Sequence, residues 1–477
     1  MSSDYHVTGM KGKVKDSLLD RIRVGPKAEP PPEELLKEPE SGEAGPSSAR
    51  KARRVGLLGI LQLLGPGLIT GASDDDPSGI GTYSQVGAQF GYGMLWTALF
   101  AFPLMAAIQE LCARIALQTG VGLGVALRRK FPVWLVGICV AALLIANTIN
   151  LGADLGAIAA GGSLLSRGLI PALWLVVPAA ALILYLQFFV TYRRIFNTFK
   201  WLTLALFAYV FTALLAHPGL LTVIAATFVP HIELSRDFVI ALVAVLGTTI
   251  SPYLFFWQAS AEVDEMRAAG LRSEADRRGV KLSELRAARI DVLIGMGFSQ
   301  VVMYAIILTS AAVLHAHGKA GVQTADQAAQ ALHPLLGPFA FVAFALGMVG
   351  TGFLAVPILS GSAAYALKEF FGLKGDLGSK PAYRPAFYGV IGAATVAGVV
   401  FNFLHIDPIK ALFYTAVING LVAPPLMLQI VILGSDRRFM AGRVSGRLSK
   451  VLTWLATIGM SSAAIALIVS LLSGLRG

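Results

Sequence analysis

Three consecutive aspartates, Asp74, Asp75 and Asp76, followed by Pro77, Ser78 and Gly79, stand inside a stretch of the chain that is otherwise apolar. Ionised carboxylates are costly at membrane depth, and one that remains there is paired, hydrated or bound to a cation. No basic residue lies near the three in that stretch, so a cation is the natural partner. Successive residues on a helix point about 100° apart, so the three cannot all face one site. One or two are expected to face the ion, Asp75 among the candidates, and another to face water, a helix end or a proton path. A second stretch, Gly247-Thr248-Thr249-Ile250-Ser251-Pro252-Tyr253, brings hydroxyls and a proline into another apolar segment. Proline removes a backbone donor and clashes with the preceding turn, which frees carbonyls as hard oxygen ligands. Carboxylate, hydroxyl, carbonyl and water oxygens suit Mg²⁺, Mn²⁺ or Ca²⁺ better than a thiophilic metal. The chain has no HExxH, CxxC or His-rich spacing to hold a zinc ion.

Composition identifies the elements that must position these residues. Of 477 residues, 55% are hydrophobic and 14% charged, against roughly a quarter charged in an ordinary soluble domain. Apolar stretches of about 20 residues recur, each long enough to cross a bilayer as a helix. They do not alternate in polarity, which excludes a transmembrane β-barrel. The fold class expected is an all-α membrane protein. Apolar runs predict eleven helices, beginning near Val55, Met94, Pro132, Leu169, Ile195, Phe238, Ile290, Leu335, Pro385, Pro408 and Leu452. Residues 1–54, rich in Lys, Glu, Pro and Ser and without a leading apolar core, read as a disordered cytoplasmic tail with no cleavable signal. Residues 55–477 then form one transporter domain.

The net charge of +11 raises the possibility of nucleic acid, but its placement excludes that reading. With the N-terminus inside, alternate loops carry 22 Lys or Arg on the cytoplasmic side, including Arg128, Arg129, Lys130, Arg193, Arg194 and Lys200. The other side carries four, Arg167, Arg236, Lys319 and Lys410. This asymmetry orients a protein of the inner membrane and, with an odd helix count, puts the C-terminus outside. The loop from Glu262 to Arg289 has charges spaced for a short amphipathic helix, read as a solvated connector. Cys112 and Cys139 fall in apolar segments and read as inert small hydrophobes.

Both polar stretches interrupt their helices, the first and the sixth. These are equivalent members of two five-helix halves, 55–215 and 237–434, with an added helix at 449–475. Interruption of both is the pattern of inverted-repeat transporters with a midplane site. Backbone groups freed in this way persist in a membrane only where they line a cavity or bind a polar ligand.

Gly65-Pro66-Gly67, then Asp76-Pro77, then Gln85-Val86-Gly87-Ala88-Gln89-Phe90-Gly91-Tyr92 resembles the first helix of the Nramp family of divalent-metal transporters. There, a GPG run leads to DPGN and a Q-x-G-A segment ending in GY. The resemblance, from about residue 55 to 475, implies a LeuT-like fold in which Asp76 is the metal-binding carboxylate. It also places the carbonyls of Ser73 and Thr248 where that family uses backbone ligands. The sequence departs from the pattern at several positions. Gly79 replaces the asparagine ligand, Ser251 the methionine ligand, and Tyr253 the histidine after the helix-six proline. Asp154 matches the aspartate of the family's TDLAE segment, but the following glutamate is Ala157. Asp154 therefore remains as a proton-pathway candidate while two groups associated with proton movement are missing. Loss of the thioether ranks Mg²⁺ and Mn²⁺ ahead of iron, and resembles the magnesium-transporting branch related to this family. Asn419, before Pro424 and Pro425, stands near the family's helix-ten glutamine and is a further ligand candidate.

Other polar residues in the spans have blander readings. Asn147, Asn150, Gln109, Glu110 and Gln300 are expected to make interhelical hydrogen bonds. His405-Ile406-Asp407 precedes the tenth helix, where Asp407 is expected to cap free amides. The metal is cargo and no cofactor is expected. The bilayer is the other partner; the sequence leaves the oligomeric state open and is compatible with a monomer. One alternative is a LeuT-like, Na⁺-coupled carrier of a small organic solute. Three aspartates would repel an anionic substrate group that ought to meet helix N-termini. A second alternative is an intramembrane aspartyl protease, for which the chain contains no GxGD motif.

Overall fold

The computed structural model describes residues 65–190, 194–195, 198–199, 201, 204–215, 219–233, 235–319, 321–322, 324–373, 385–404, 406–440 and 442–474. The tail at 1–54, the start of the first span and His405 lie outside them. Among the described residues every regular element is helical. The first span consists of α1 (Pro66–Asp74) and α2 (Pro77–Phe90). Then come α3 (Trp96–Thr119), α4 (Leu123–Lys130), α5 (Val133–Leu165), α6 (Ala172–Phe189) and α7 (Phe207–Leu215). The sixth span is α8 (Arg236–Thr249) and α9 (Pro252–Ala268), followed by α10 (Glu274–Arg277) and α11 (Leu282–Val313). The chain finishes with α12 (Ala340–Phe371), α13 (Pro385–Asn402), α14 (Pro408–Ser435) and α15 (Arg447–Gly474).

Nine spans among the described residues are long and apolar enough to cross a membrane, the sixth counted through its break. The first is divided into two short helices, and the fifth is described only in part. With these two the order matches the eleven spans read from the sequence. Trp134, Trp174, Leu169, Leu221 and Ile465 stand exposed on the outside of the bundle. Large apolar side chains on such a surface are the mark of a face solvated by lipid.

The two halves pack against each other. The most extensive contact joins α5 to α12, the third and eighth spans, which are equivalent members of the two halves. The first span lies along α11 of the second half, and α9 lies along α3 of the first. Both broken spans approach a neighbour through glycine. A Cβ on Gly71 would fall 2.1 Å from the Gly295 backbone, and one on Gly247 would fall 2.1 Å from the Ala416 carbonyl and 2.4 Å from the Gly420 nitrogen. These glycines have ordinary helical backbones, so close approach rather than unusual torsion is what they supply.

α1 starts without a side-chain cap from the adjacent sequence, since Gly65 has no side chain to offer. Asp291 of α11 supplies it, accepting from the Gly67 amide at 2.7 Å and the Leu68 amide at 3.3 Å. A carboxylate there satisfies orphan donors and complements the helix dipole.

The charged connection after the sixth span differs from its sequence reading. α9 runs on to Ala268 and α11 starts at Leu282, so the true loop is shorter, and its one helix has four residues. It is docked, not free. Arg277 is buried and donates to the carbonyls of Gly120, Leu271 and Arg272. Glu274 takes a two-pronged bond from Arg129 of α4, at 2.6 and 2.8 Å. Composition alone did not show α4, whose basic last turn had been read as plain loop.

Candidate cation site

Both breaks follow from local chemistry. α1 stops at Asp74 because Pro77 clashes with the turn before it, and Asp76 takes extended torsions as the cap of α2. Its carboxylate accepts from the Gly79 amide at 2.8 Å and the Ser78 hydroxyl at 2.6 Å. In the sixth span Pro252 does the same, leaving Ile250 and Ser251 non-helical.

The two breaks lie face to face at full burial. Asp74, Asp75, Asp76, Thr248, Ser251, Asn150, Asp154, Tyr253 and Asn419 are each at most 2% exposed. Tyr253, at the start of α9, joins the breaks: its hydroxyl lies 3.0 Å from the Ser73 carbonyl and 3.3 Å from Asp76. The Ser78 and Thr248 hydroxyls meet at 3.2 Å. Asn150 of α5 donates to Asp76 at 3.4 Å. Asp76 is thus the junction of the first, third and sixth spans.

The remaining sequence candidates are distributed around it. The Ser73 carbonyl faces the junction through Tyr253, while its hydroxyl bonds back to Ile69 at 2.8 Å. Ser251 donates back to the carbonyls of Gly247 and Thr248, at 2.9 and 2.7 Å, so its proton and the Thr248 carbonyl are engaged with each other. Gly79 gives its amide to Asp76, and a Cβ there would meet the Tyr83 ring at 3.2 Å. The tyrosine fills space that a larger residue at 79 would need. Asp154 is close to Asp76 and the Ser78 amide, and both its oxygens lack a close hydrogen bond. Asn419 of α14 is buried with both side-chain polar atoms unsatisfied. Asp75 turns away from Asp76 and, with Asp74, meets Ser299 of α11.

The sequence reading missed Ser299 and assigned Asn150 to helix packing. Asn150 lies four residues before Asp154, hence on the same helix face, and that spacing was the available signal. Ser299 gave none, since a lone serine on an apolar helix is unremarkable. Asp407 caps α14 as expected, accepting from the Ile409 amide at 3.0 Å. Asn147 makes the expected interhelical bond, donating to the Leu359 carbonyl at 3.3 Å. Cys112 and Cys139 are buried and unbridged.

Among the described residues no three His, Cys, Asp or Glu side chains are grouped to chelate an ion. A cation at the junction would meet Asp76, with Asp154 close by, and neutral oxygens, a hard donor set.

Two broken spans, a repeat-related bundle and a buried acidic junction define a LeuT-fold membrane carrier. A nucleobase-cation-symport transporter, Mhp1 in a closed conformation, shares the fold with a TM-score of 0.54 at 15% identity, over 87% of this chain and 91% of that one. The sequence matches the family model described as natural resistance-associated macrophage protein-like over residues 67–470. The chain belongs to the Nramp family. A divalent metal cation transporter, MntH, of Klebsiella pneumoniae is 28% identical over 418 residues, 86% of this chain and 93% of that protein. The MntH of Deinococcus radiodurans is 27% identical over 425 residues, 87% and 90% of the two chains. The solved structure of an Eremococcus coleocola manganese transporter variant superposes with a TM-score of 0.68 at 18% identity, over 88% of each chain. These relatives are named as transporters, not enzymes.

Proposed function

We propose that this protein carries a divalent metal cation across the inner membrane, with Asp76 as the carboxylate that holds the ion. The observation that carries this reading is Asp76 itself, fully buried where two interrupted spans meet, beside a second carboxylate, Asp154, that has no close partner. Family membership and the names of the MntH relatives support the class of cargo. The Ser73 carbonyl, the Thr248 oxygens and Asn150 surround Asp76 with hard donors, and Asn419 is available from the tenth span. Ser251 contributes by shaping the break. Gly79 contributes its amide and the space the Tyr83 ring occupies.

No thioether reaches the junction from position 251, and hard oxygens favour Mg²⁺ or Mn²⁺ over iron. Transport proceeds by alternating access. The first and sixth spans, held to α11 and α14 at glycine contacts, tilt together because Tyr253 joins them. The N-terminus lies inside and the C-terminus outside. The membrane potential, worth about 2.3 kcal/mol per charge per 100 mV, drives a divalent ion inward even without protons. Uptake by proteoliposomes offered Mg²⁺, Mn²⁺ or Fe²⁺, with internal pH recorded, tests the reading. Mg²⁺ or Mn²⁺ uptake exceeding Fe²⁺ uptake is expected. Fe²⁺ uptake with no Mg²⁺ uptake overturns the ranking, and no uptake of any divalent ion overturns the function.

A further inference from the structure

The break in the first span has a second acidic face that the Asp76 junction does not use. Asp74 and Asp75 both turn to α11, where the one hydroxyl of Ser299 lies 2.6 Å from an Asp74 oxygen and 3.2 Å from an Asp75 oxygen. A serine has a single proton to donate, so it cannot satisfy two carboxylates. The other oxygen of each, Asp74 Oδ1 and Asp75 Oδ2, is buried with no hydrogen-bond partner. Among the described residues no lysine or arginine pairs with either, and both side chains are at most 2% exposed. Two like charges sharing one donor in a medium of low dielectric repel strongly, and a bound positive charge removes that cost.

We infer that Asp74, Asp75 and Ser299 form a second cation site, separate from Asp76, that takes a small monovalent metal ion of the Na⁺ class. The partners of Asp76 come from the first, third and sixth spans, whereas the hydroxyl that Asp74 and Asp75 share comes from α11. Its donors are all hard oxygens. Mg²⁺ sheds water reluctantly and keeps several waters when bound. A pocket with such buried walls instead suits an ion that gives up its shell readily. A cation there also ties the break to α11, the helix whose Asp291 caps the start of α1. Its arrival and departure therefore bear on whether α1 stays docked.

The test is thermal unfolding of the purified full-length protein in NaCl against choline chloride at equal ionic strength, without divalent ions. Because no transport is measured, failure of the metal-carrier reading leaves this result unaffected. Saturating Na⁺ is expected to raise the midpoint by about 2 °C. Asp74→Asn and the milder Ser299→Ala are expected to reduce apparent Na⁺ affinity at least about tenfold, and Asp76→Asn to leave it unchanged. The inference is overturned if the unaltered protein shows no Na⁺-specific shift. It is equally overturned if both the Asp74 and Ser299 variants keep it while Asp76→Asn loses it.

Discussion

The two interrupted spans solve one problem in opposite ways. In the first, acidic side chains fill the break: Asp76 caps the next helix, while Asp74 and Asp75 face α11. In the sixth, the hydroxyls turn back on their own turn, Thr249 to the Val245 carbonyl at 2.6 Å and Ser251 to those of Gly247 and Thr248. One break therefore holds charge that the protein leaves unbalanced, and the other is nearly self-satisfied and neutral. The pairing assigns their roles. Under the proposed function, charge gives the ion its affinity, and the neutral partner adds oxygens and a tyrosine that joins the two breaks. A site with both breaks acidic would hold a divalent ion too tightly to release it.

Removing the charge should have the largest effect. Asp76→Ala is expected to lower metal uptake by more than about a hundredfold with folding intact, whereas Ser251→Ala lowers it by less than about tenfold. Radiotracer flux with a parallel unfolding curve checks both, and equal losses from the two would erase the contrast between the breaks. The glycine contacts come next. Gly71→Val and Gly247→Val each force a side chain against backbone and are expected to destabilise by about 1–3 kcal/mol or more. Thermal unfolding measures this, and a neutral result at either position would mean that the close approach is not maintained.

Tyr253→Phe removes the hydroxyl that links Ser73 to Asp76, and a stability loss of about 1 kcal/mol is expected. The smallest effect lies outside the membrane. Arg129 holds the Glu274 carboxyl below its usual value of 4.5, so the folded state favours the charged form. That contribution is complete above pH 4.5 and disappears as pH falls through the lowered value. Glu274 is partly exposed, so Glu274→Gln should cost less than about 1 kcal/mol at neutral pH and nothing in strong acid. Unfolding curves at pH 7 and pH 3 check the sign, and a larger deficit in acid would contradict it.

Much of this architecture was legible from the order of residues. The spans show because hydrocarbon demands continuous apolar length, and the breaks show because a proline beside polar residues has no other place in a membrane helix. The boundaries were less legible. The inner ends of α9 and α11 carry charges, so a reading based on apolar runs stops short of Ala268 and begins α11 late. α4 escaped for the same reason, being short and basic and held in place by neighbours. Glu369 of α12 accepts from its Gly124 amide at 2.8 Å, a contact 245 residues away along the chain.

The sequence by itself determined that Asp74, Asp75 and Asp76 sit in a membrane helix that cannot stay whole, and it gave the reason to expect a cation beside them. Which carboxylate meets what was decided by the tertiary structure. The helical turn aims adjacent residues in different directions, and only the packing of α5, α9 and α11 around the break supplies Asn150, Tyr253 and Ser299 as their partners. Those three residues are far from the aspartates in sequence, and nothing local pairs them with a particular carboxylate. Their positions follow from helices crossing at glycine contacts, a property of the folded bundle and not of any one segment.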